Sequence, residues 1–236
     1  MKSEKLSVRD LWVANDSDWG TRGHFADINT YIIDFLEENH IYEGKLLELG
    51  CGFGKTSYTF SQIGYSVTGI DGDLERIERA KLNYPEVDFM TFKIKEKLPF
   101  EDNSFDIVFS RSVFQYIEHK LIIDEVRRVL KTDGKIILLE NLKFNPVTAI
   151  GRAYLKLTKH QYMFYPWNHF THKEILEVQR QFEDSSTHFF HLLSPICYSK
   201  FFKKLYPLIY KLDQKLLKLN FLKKFSWLVL LVGKNR

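Results

Sequence analysis

Apolar residues at Ile28, Tyr31, Ile32, Phe35 and Leu36 repeat at helical spacing, and the charged stretch behind them stops at Gly44. This predicts a helix ahead of the first strand. Residues 45–49 (KLLEL) are a short apolar run closed by a glycine cluster, residues 55–63 read as a helix stopped by Gly64, and residues 66–70 repeat the strand pattern. Asp73 is placed to cap a helix carrying Leu74, Ile77 and Ala80, and residues 87–92 form a third strand. A fourth strand at 105–109, a helix through Ile122, Val126, Val129 and Leu130, and a fifth strand at 135–139 after the turn at Asp133-Gly134 continue the alternation. Strand and helix alternating at this spacing imply a doubly wound, parallel α/β sheet.

Past Asn141 the pattern changes. Residues 141–181 hold only short helical signals and are dense in Tyr, Phe, Trp and His, as expected of an insertion over a site. Within them Thr171-His172-Lys173-Glu174 is a capping box with Phe170 and Ile175 as its hydrophobic staple, so a helix starts there. Residues 185–192 alternate like a strand, residues 201–222 carry apolar side chains at 201, 205, 208, 212 and 216, and residues 225–232 close as a strand.

The length of 236 residues suits one α/β domain, and 44% hydrophobic with 27% charged residues rules out wholesale disorder. No apolar run reaches the roughly 18 residues of a membrane helix, and the N-terminal residues lack the apolar stretch of a signal peptide, so a cytoplasmic protein is expected. Cys51 and Cys197 cannot build a disulfide framework and lack partners at zinc-ligand spacing; a reduced, metal-free protein is expected. Charge is uneven. Residues 197–236 hold ten Lys/Arg against Asp213, whereas residues 1–196 are mildly acidic with 24 bases and 29 acids.

The chemistry concentrates in Leu47-Glu48-Leu49-Gly50-Cys51-Gly52-Phe53-Gly54-Lys55-Thr56, a strand, a glycine turn and a helix start. In such a turn backbone must approach a ligand closely and only glycine fits. A P-loop needs a glycine where Leu49 stands, and Asp106 precedes an apolar strand where a Walker B acid ends one. A dinucleotide fingerprint needs its third glycine where Lys55 stands. Tyr116 and Lys120 do match the Y-x-x-x-K pair of short-chain NAD(P)-dependent oxidoreductases, but they follow the fourth strand and not the fifth. A tight turn without ligand is the remaining ordinary reading.

The same segment resembles the first motif of class I S-adenosylmethionine-dependent methyltransferases. Residues 98–108 (LPFEDNSFDIV) and 125–134 (EVRRVLKTDG) resemble further motifs of the ubiquinone/menaquinone-type, methyltransferase type 11 branch, and the likeness spans roughly residues 45–140. The resemblance implies a Rossmann-like, seven-stranded, mostly parallel sheet with an antiparallel last strand and a helical, aromatic lid between strands five and six. The segments are then an N-terminal cap and helix (1–44), a cofactor core (45–140), an acceptor lid (141–182) and the last strands with a basic helix (183–236). The implied cofactor is S-adenosylmethionine, with S-adenosylhomocysteine as product. Its methionine part lies against Gly50, Cys51, Gly52 and Gly54, with Glu48 replacing the usual aspartate. Asp71, 21 residues beyond Gly50, takes the ribose hydroxyls. Gly72 and Ile94 depart from the family pattern, leaving adenine to Leu74, Ile94 and backbone near Lys95. Ser110 and Tyr116 flank the sulfonium and acceptor.

Methyl transfer needs alignment, water exclusion and, for some acceptors, a base. The lid segment 160–169 (HQYMFYPWNH) offers Tyr162, Tyr165 and His169 as candidates beside an aromatic wall. A small-molecule or lipid-linked acceptor is expected. Residues 200–224, from Lys200 to Lys224, read as a basic amphipathic stretch, either a solvated lysine face packed on the domain or a peripheral contact to an anionic inner-membrane surface. Nucleic acid is disfavoured because the aromatics lie on the stripe expected to be buried. The alternative to an enzyme is a catalytically silent cofactor-binding or regulatory protein.

Overall fold

The computed structural model describes residues 26–38, 43–95, 97–158, 168–199 and 201–236. In chain order the elements are α1 (Ala26–Glu38), β1 (Gly44–Leu49), α2 (Lys55–Ile63), β2 (Tyr65–Asp71), α3 (Leu74–Asn83), β3 (Asp88–Thr91), β4 (Phe105–Arg111), α4 (His119–Val129), β5 (Leu130–Asn141), α5 (Pro146–Leu157), α6 (His172–Gln179), β6 (Glu183–Phe190), α7 (Tyr206–Leu216), α8 (Asn220–Lys223) and β7 (Leu228–Lys234). The strands run in the order β3-β2-β1-β4-β5-β7-β6 in a seven-stranded sheet. It is parallel at β1/β2, β1/β4 and β2/β3 and antiparallel at β6/β7, as the sequence pattern and the resemblance imply. The described residues form two compact units, those up to Ser110 with Asp124–Ile137, and Arg111–Ile123 with those from Leu138 on.

In the first unit β1 and β4 are continuous apolar runs covered on both faces, with Leu46, Leu47, Leu49, Ile107, Val108 and Phe109 buried. Phe60 of α2 meets Phe109 and Tyr65 edge-on at ring-centroid distances of 5.1 and 5.8 Å. The Asp73 carboxylate accepts from the Arg76 N–H and caps α3. Arg128 explains the 125–134 motif. Its guanidinium donates to Glu125, Asp102 and the carbonyls of Leu98 and Phe100, stitching the long 92–104 connection to α4. Asp106 is held by Lys131 and the Lys45 N–H at the start of β4 and is structural.

In the second unit the Thr171–Glu174 capping box forms both of its bonds, and Phe170 and Ile175 are buried as the expected staple. Two expectations are corrected. Residues 141–181 were to hold only short helical signals, yet α5 makes three full turns, started by Asn145, whose side chain accepts from the Thr148 N–H, and by Pro146 in the first turn. The 201–222 stretch was to be one helix with its aromatics buried. It is a 3-10 turn (Lys203–Leu205), then α7 with Pro207 in its first turn, then α8. Its apolar stripe is exposed at 201, 205, 208 and 212, because the one buried side chain of α7 is Asp213 and not an apolar residue. Among the described residues no helix is long and apolar enough to cross a membrane.

Candidate functional site

Parallel pairing sets the C-terminal ends of β1, β2 and β3 side by side, with Leu49 opposite Ile70 and Asp71 opposite Thr91. The loops leaving them carry Gly50, Cys51, Gly52 and Gly54 after β1, Gly72 and Leu74 after β2, and Ile94 and Lys95 after β3. Ser110, buried in β4, stands opposite Leu49. Ten chain positions proposed from sequence thus share one sheet edge, where ligands of such sheets bind.

The glycine turn is sterically two-faced. Gly54 has φ +80°, and a Cβ there would stand 2.5 Å from Phe89 and 2.9 Å from Ala80, so α2 can pack against α3 and β3 only if this residue is glycine. Gly52 has φ +55° and nothing within 4 Å of where a Cβ would point. Beside that open side the Asp71 carboxylate is already aimed. Its Oδ2 accepts from the Gly52 N–H at 3.0 Å and its Oδ1 from the Asp73 N–H at 2.9 Å. Each carboxylate oxygen has two lone pairs, so a second acceptor direction remains on each for a ligand's hydroxyls. A left-handed glycine turn opening on a fixed carboxylate is a cradle that fits the methionine and ribose parts of S-adenosylmethionine.

Around it, the buried Glu48 carboxylate accepts from the Ser57 hydroxyl of α2, tying the helix start to the end of β1. Burial first, then the nearby Glu48 and Asp71 carboxylates, push the Cys51 thiol far above its ordinary range, so it stays protonated and has no nucleophilic role. The departure at Gly72 has a compensation. A Cβ there would stand 3.2 Å from Cγ of Lys93, whose aliphatic stem fills the place an apolar residue would take. Leu74 is exposed, Ile94 half-buried and Lys95 exposed.

The second unit holds the segment that follows β4. Ser112 has φ +57° and its N–H donates to the Leu139 carbonyl at 2.9 Å. The buried Glu140 accepts from the N–H groups of Val113 and Phe114, fixing the 3-10 turn Phe114–Tyr116 on which the half-exposed Tyr116 sits. Sequence reasoning passed over Glu140, although an acid ending the run Ile-Ile-Leu-Leu was a signal. His169 is buried, and its Nε2 lies 3.0 Å from Oε1 of Gln115. Burial, with the Arg152, His119 and Lys143 charges, brings its pKa down to about 4, so the ring is neutral at pH 7. His119 stacks on Phe170 at 3.8 Å between centroids. Tyr162 and Tyr165 lie outside the described residues.

Residues 47–138 match the model of a family described as a methyltransferase domain. The uncharacterized methyltransferase YcgJ of Bacillus subtilis is 34% identical over 104 residues, 42% of this chain and 41% of YcgJ. Its crystal structure superposes with a TM-score of 0.56 at 20% identity, covering 88% of this chain and 99% of that one. The demethylmenaquinone methyltransferase of Paenarthrobacter aurescens is 31% identical over 97 residues, 41% of this chain and 38% of that enzyme. The chain thus spans under half the length of these curated relatives. Phosphoethanolamine N-methyltransferase 2 of Haemonchus contortus, in complex with S-adenosyl-L-methionine, superposes with a TM-score of 0.58 at 16% identity, covering 99% of this chain and 58% of that one. At these identities the superpositions show the fold.

Proposed function

We propose that this chain, whose residues 47–138 match a methyltransferase-domain family, is a class I methyltransferase that binds S-adenosylmethionine at the glycine turn and methylates a small-molecule or lipid-linked acceptor by in-line displacement. The observation that carries the reading is the Gly52 N–H bonded to Asp71 beside an open left-handed turn. When bound, the cofactor supplies an electrophilic methyl group on a sulfonium. Asp71 accepts the ribose hydroxyls on the lone pairs its backbone partners leave, and the turn from Gly50 to Gly54 admits the methionine part without a side-chain clash. Leu74, Ile94 and the Lys93 stem provide the apolar surface for adenine, with backbone near Lys95.

Ser110, at the end of β4, is a cofactor-side candidate; Tyr116 is an acceptor-side candidate on a turn that Glu140 keeps rigid by accepting from the Val113 and Phe114 N–H groups. Rigid positioning is the main protein contribution to a displacement of this kind. A neutral His169 engaged with Gln115 acts as a positioning residue for the same turn. Tyr162 and Tyr165 remain acceptor-side candidates. An acceptor held at an anionic membrane, reached through residues 200–224, fits the basic end of the chain.

Calorimetric titration with S-adenosylhomocysteine, S-adenosylmethionine, NAD and ATP tests the reading. The first two bind and the others do so far more weakly. NAD binding as tight as S-adenosylhomocysteine refutes it. Cofactor binding without methyl transfer to any quinone-precursor, sterol or glycolipid acceptor favours a silent binding protein.

A further inference from the structure

Two helices of the second unit are anchored to it by buried polar groups, with the Tyr206 and Tyr210 rings of α7 also 6.3 and 5.6 Å from that of His191. α5 has no buried residue, and the only one in α7 is Asp213. Both hang from the same segment. The Asn145 amide at the head of α5 donates to the carbonyls of His191 and Leu192 and, at 2.8 Å, to that of Phe225. The Asp213 carboxylate accepts from the N–H groups of Leu192, Leu193 and Ser194 at 2.8 to 3.0 Å. Helices of this length ordinarily owe their stability to an apolar face packed on the domain. Here each helix also turns a row of apolar side chains outward. Ile150, Tyr154 and Leu157 follow one another at helical spacing on α5, exposed by 72, 65 and 84%. Leu208 and Leu212 do so on α7, below an exposed Phe201 and Leu205.

The charge on these elements has one sign. Residues 141–158 contain Lys143, Arg152 and Lys156 and no acid, and residues 201–224 contain seven lysines and one acid. That acid is Asp213, buried against three N–H groups, so the exposed charges of the segment are all positive. Exposed aliphatic rows flanked by cations are what a bilayer interface accepts, hydrocarbon taking Leu and Ile while lipid phosphates take Lys. We propose that α5 and the 201–224 segment together form a docking face for an anionic lipid bilayer. A second copy of the chain would bring like charges together in a self-complementary interface. A nucleic acid would use the lysines and Phe201 but has no use for the aliphatic rows. The purpose of such docking, delivery of a lipid-linked acceptor, rests on the methyltransferase reading; the docking itself does not.

The test is cosedimentation of the full chain with phosphatidylcholine vesicles, with and without phosphatidylglycerol, at about 0.1 M and about 1 M salt, where the screening length falls from about 10 Å to about 3 Å. The protein sediments with the anionic vesicles at low salt and at least tenfold less at high salt. Two double variants, Ile150→Glu with Leu157→Glu and Leu208→Glu with Leu212→Glu, each weaken binding at least tenfold while the melting temperature stays at the wild-type value, since none of the four side chains is buried. No binding to anionic vesicles at low salt, equal binding to neutral ones, or wild-type binding by either variant overturns the proposal. So does tighter binding to single-stranded RNA than to vesicles, or dimerisation that the variants abolish. Failure here leaves S-adenosylhomocysteine titration untouched, so the two readings fail separately.

Discussion

Replacing Asp71 with alanine isolates the group on which the cofactor reading turns. Its oxygens each hold one backbone N–H, that of Gly52 at 3.0 Å and that of Asp73 at 2.9 Å, and each offers one further acceptor direction to a ribose hydroxyl. A hydrogen bond to an ionised group contributes about 1.5 to 3 kcal/mol, so losing both ribose bonds costs at most about 3 to 6 kcal/mol of binding. The residue is only partly buried, and water replaces some of that loss. One bond's worth, at least about 1.4 kcal/mol or tenfold in Kd, is therefore the floor. Asp71→Glu serves as a second probe, because one more methylene moves the carboxylate by about 1.5 Å and it cannot keep both backbone bonds while facing the ribose. Calorimetric titration with S-adenosylhomocysteine reads the Kd, and urea unfolding reads how much of the change is lost order in the turn. A Kd unchanged in the alanine variant, with the fold intact, refutes the argument and moves the ribose elsewhere.

Gly54→Ala forces a Cβ to 2.5 Å from Phe89 at φ +80° and lowers stability by about 2 to 4 kcal/mol in urea unfolding. Gly52→Ala meets no neighbour and costs about 1 kcal/mol for its backbone alone, yet weakens S-adenosylhomocysteine binding more than tenfold because its methyl group enters the cradle. His169 is held near pKa 4 in the fold against 6.5 unfolded, so the unfolded chain binds the extra proton and stability falls as pH drops from about 6.5 to 4. His169→Gln removes about 3 kcal/mol of that acid sensitivity, read from unfolding at a series of pH values. Asp213→Ala leaves three N–H groups without their acceptor in a buried place and lowers stability by about 3 to 5 kcal/mol, with α7 becoming the first site of limited proteolysis.

The order of strands and helices from β1 to α4, and the glycine turn with Asp71 at the next strand's end, were legible in the chain itself. Their signals are local. A buried parallel strand is an unbroken apolar run, a left-handed turn demands glycine within a few residues, and the Thr171 capping box is complete within four. Boundaries were less legible: β5 begins at Leu130 and takes in the Asp133-Gly134 pair, with Asp133 at φ +66°, where the pattern had a turn, and β6 stops at Phe190, before His191 at φ +61°.

What only the tertiary structure decided depends on partners distant in the chain. The stem of Lys93 fills the place that Gly72 vacates, a contact between loops that follow different strands. Glu140 at the end of β5 fixes Val113 and Phe114, 26 and 27 residues earlier, and turns an acid in an apolar run into a clamp. The apolar row at 201, 205, 208 and 212 has the spacing of a buried face, and spacing alone says only that the row shares one side of the helix. Which side faces in is set by Asp213, the one acid among the lysines, because three N–H groups of residues 192–194 wait for a carboxylate that no leucine can replace.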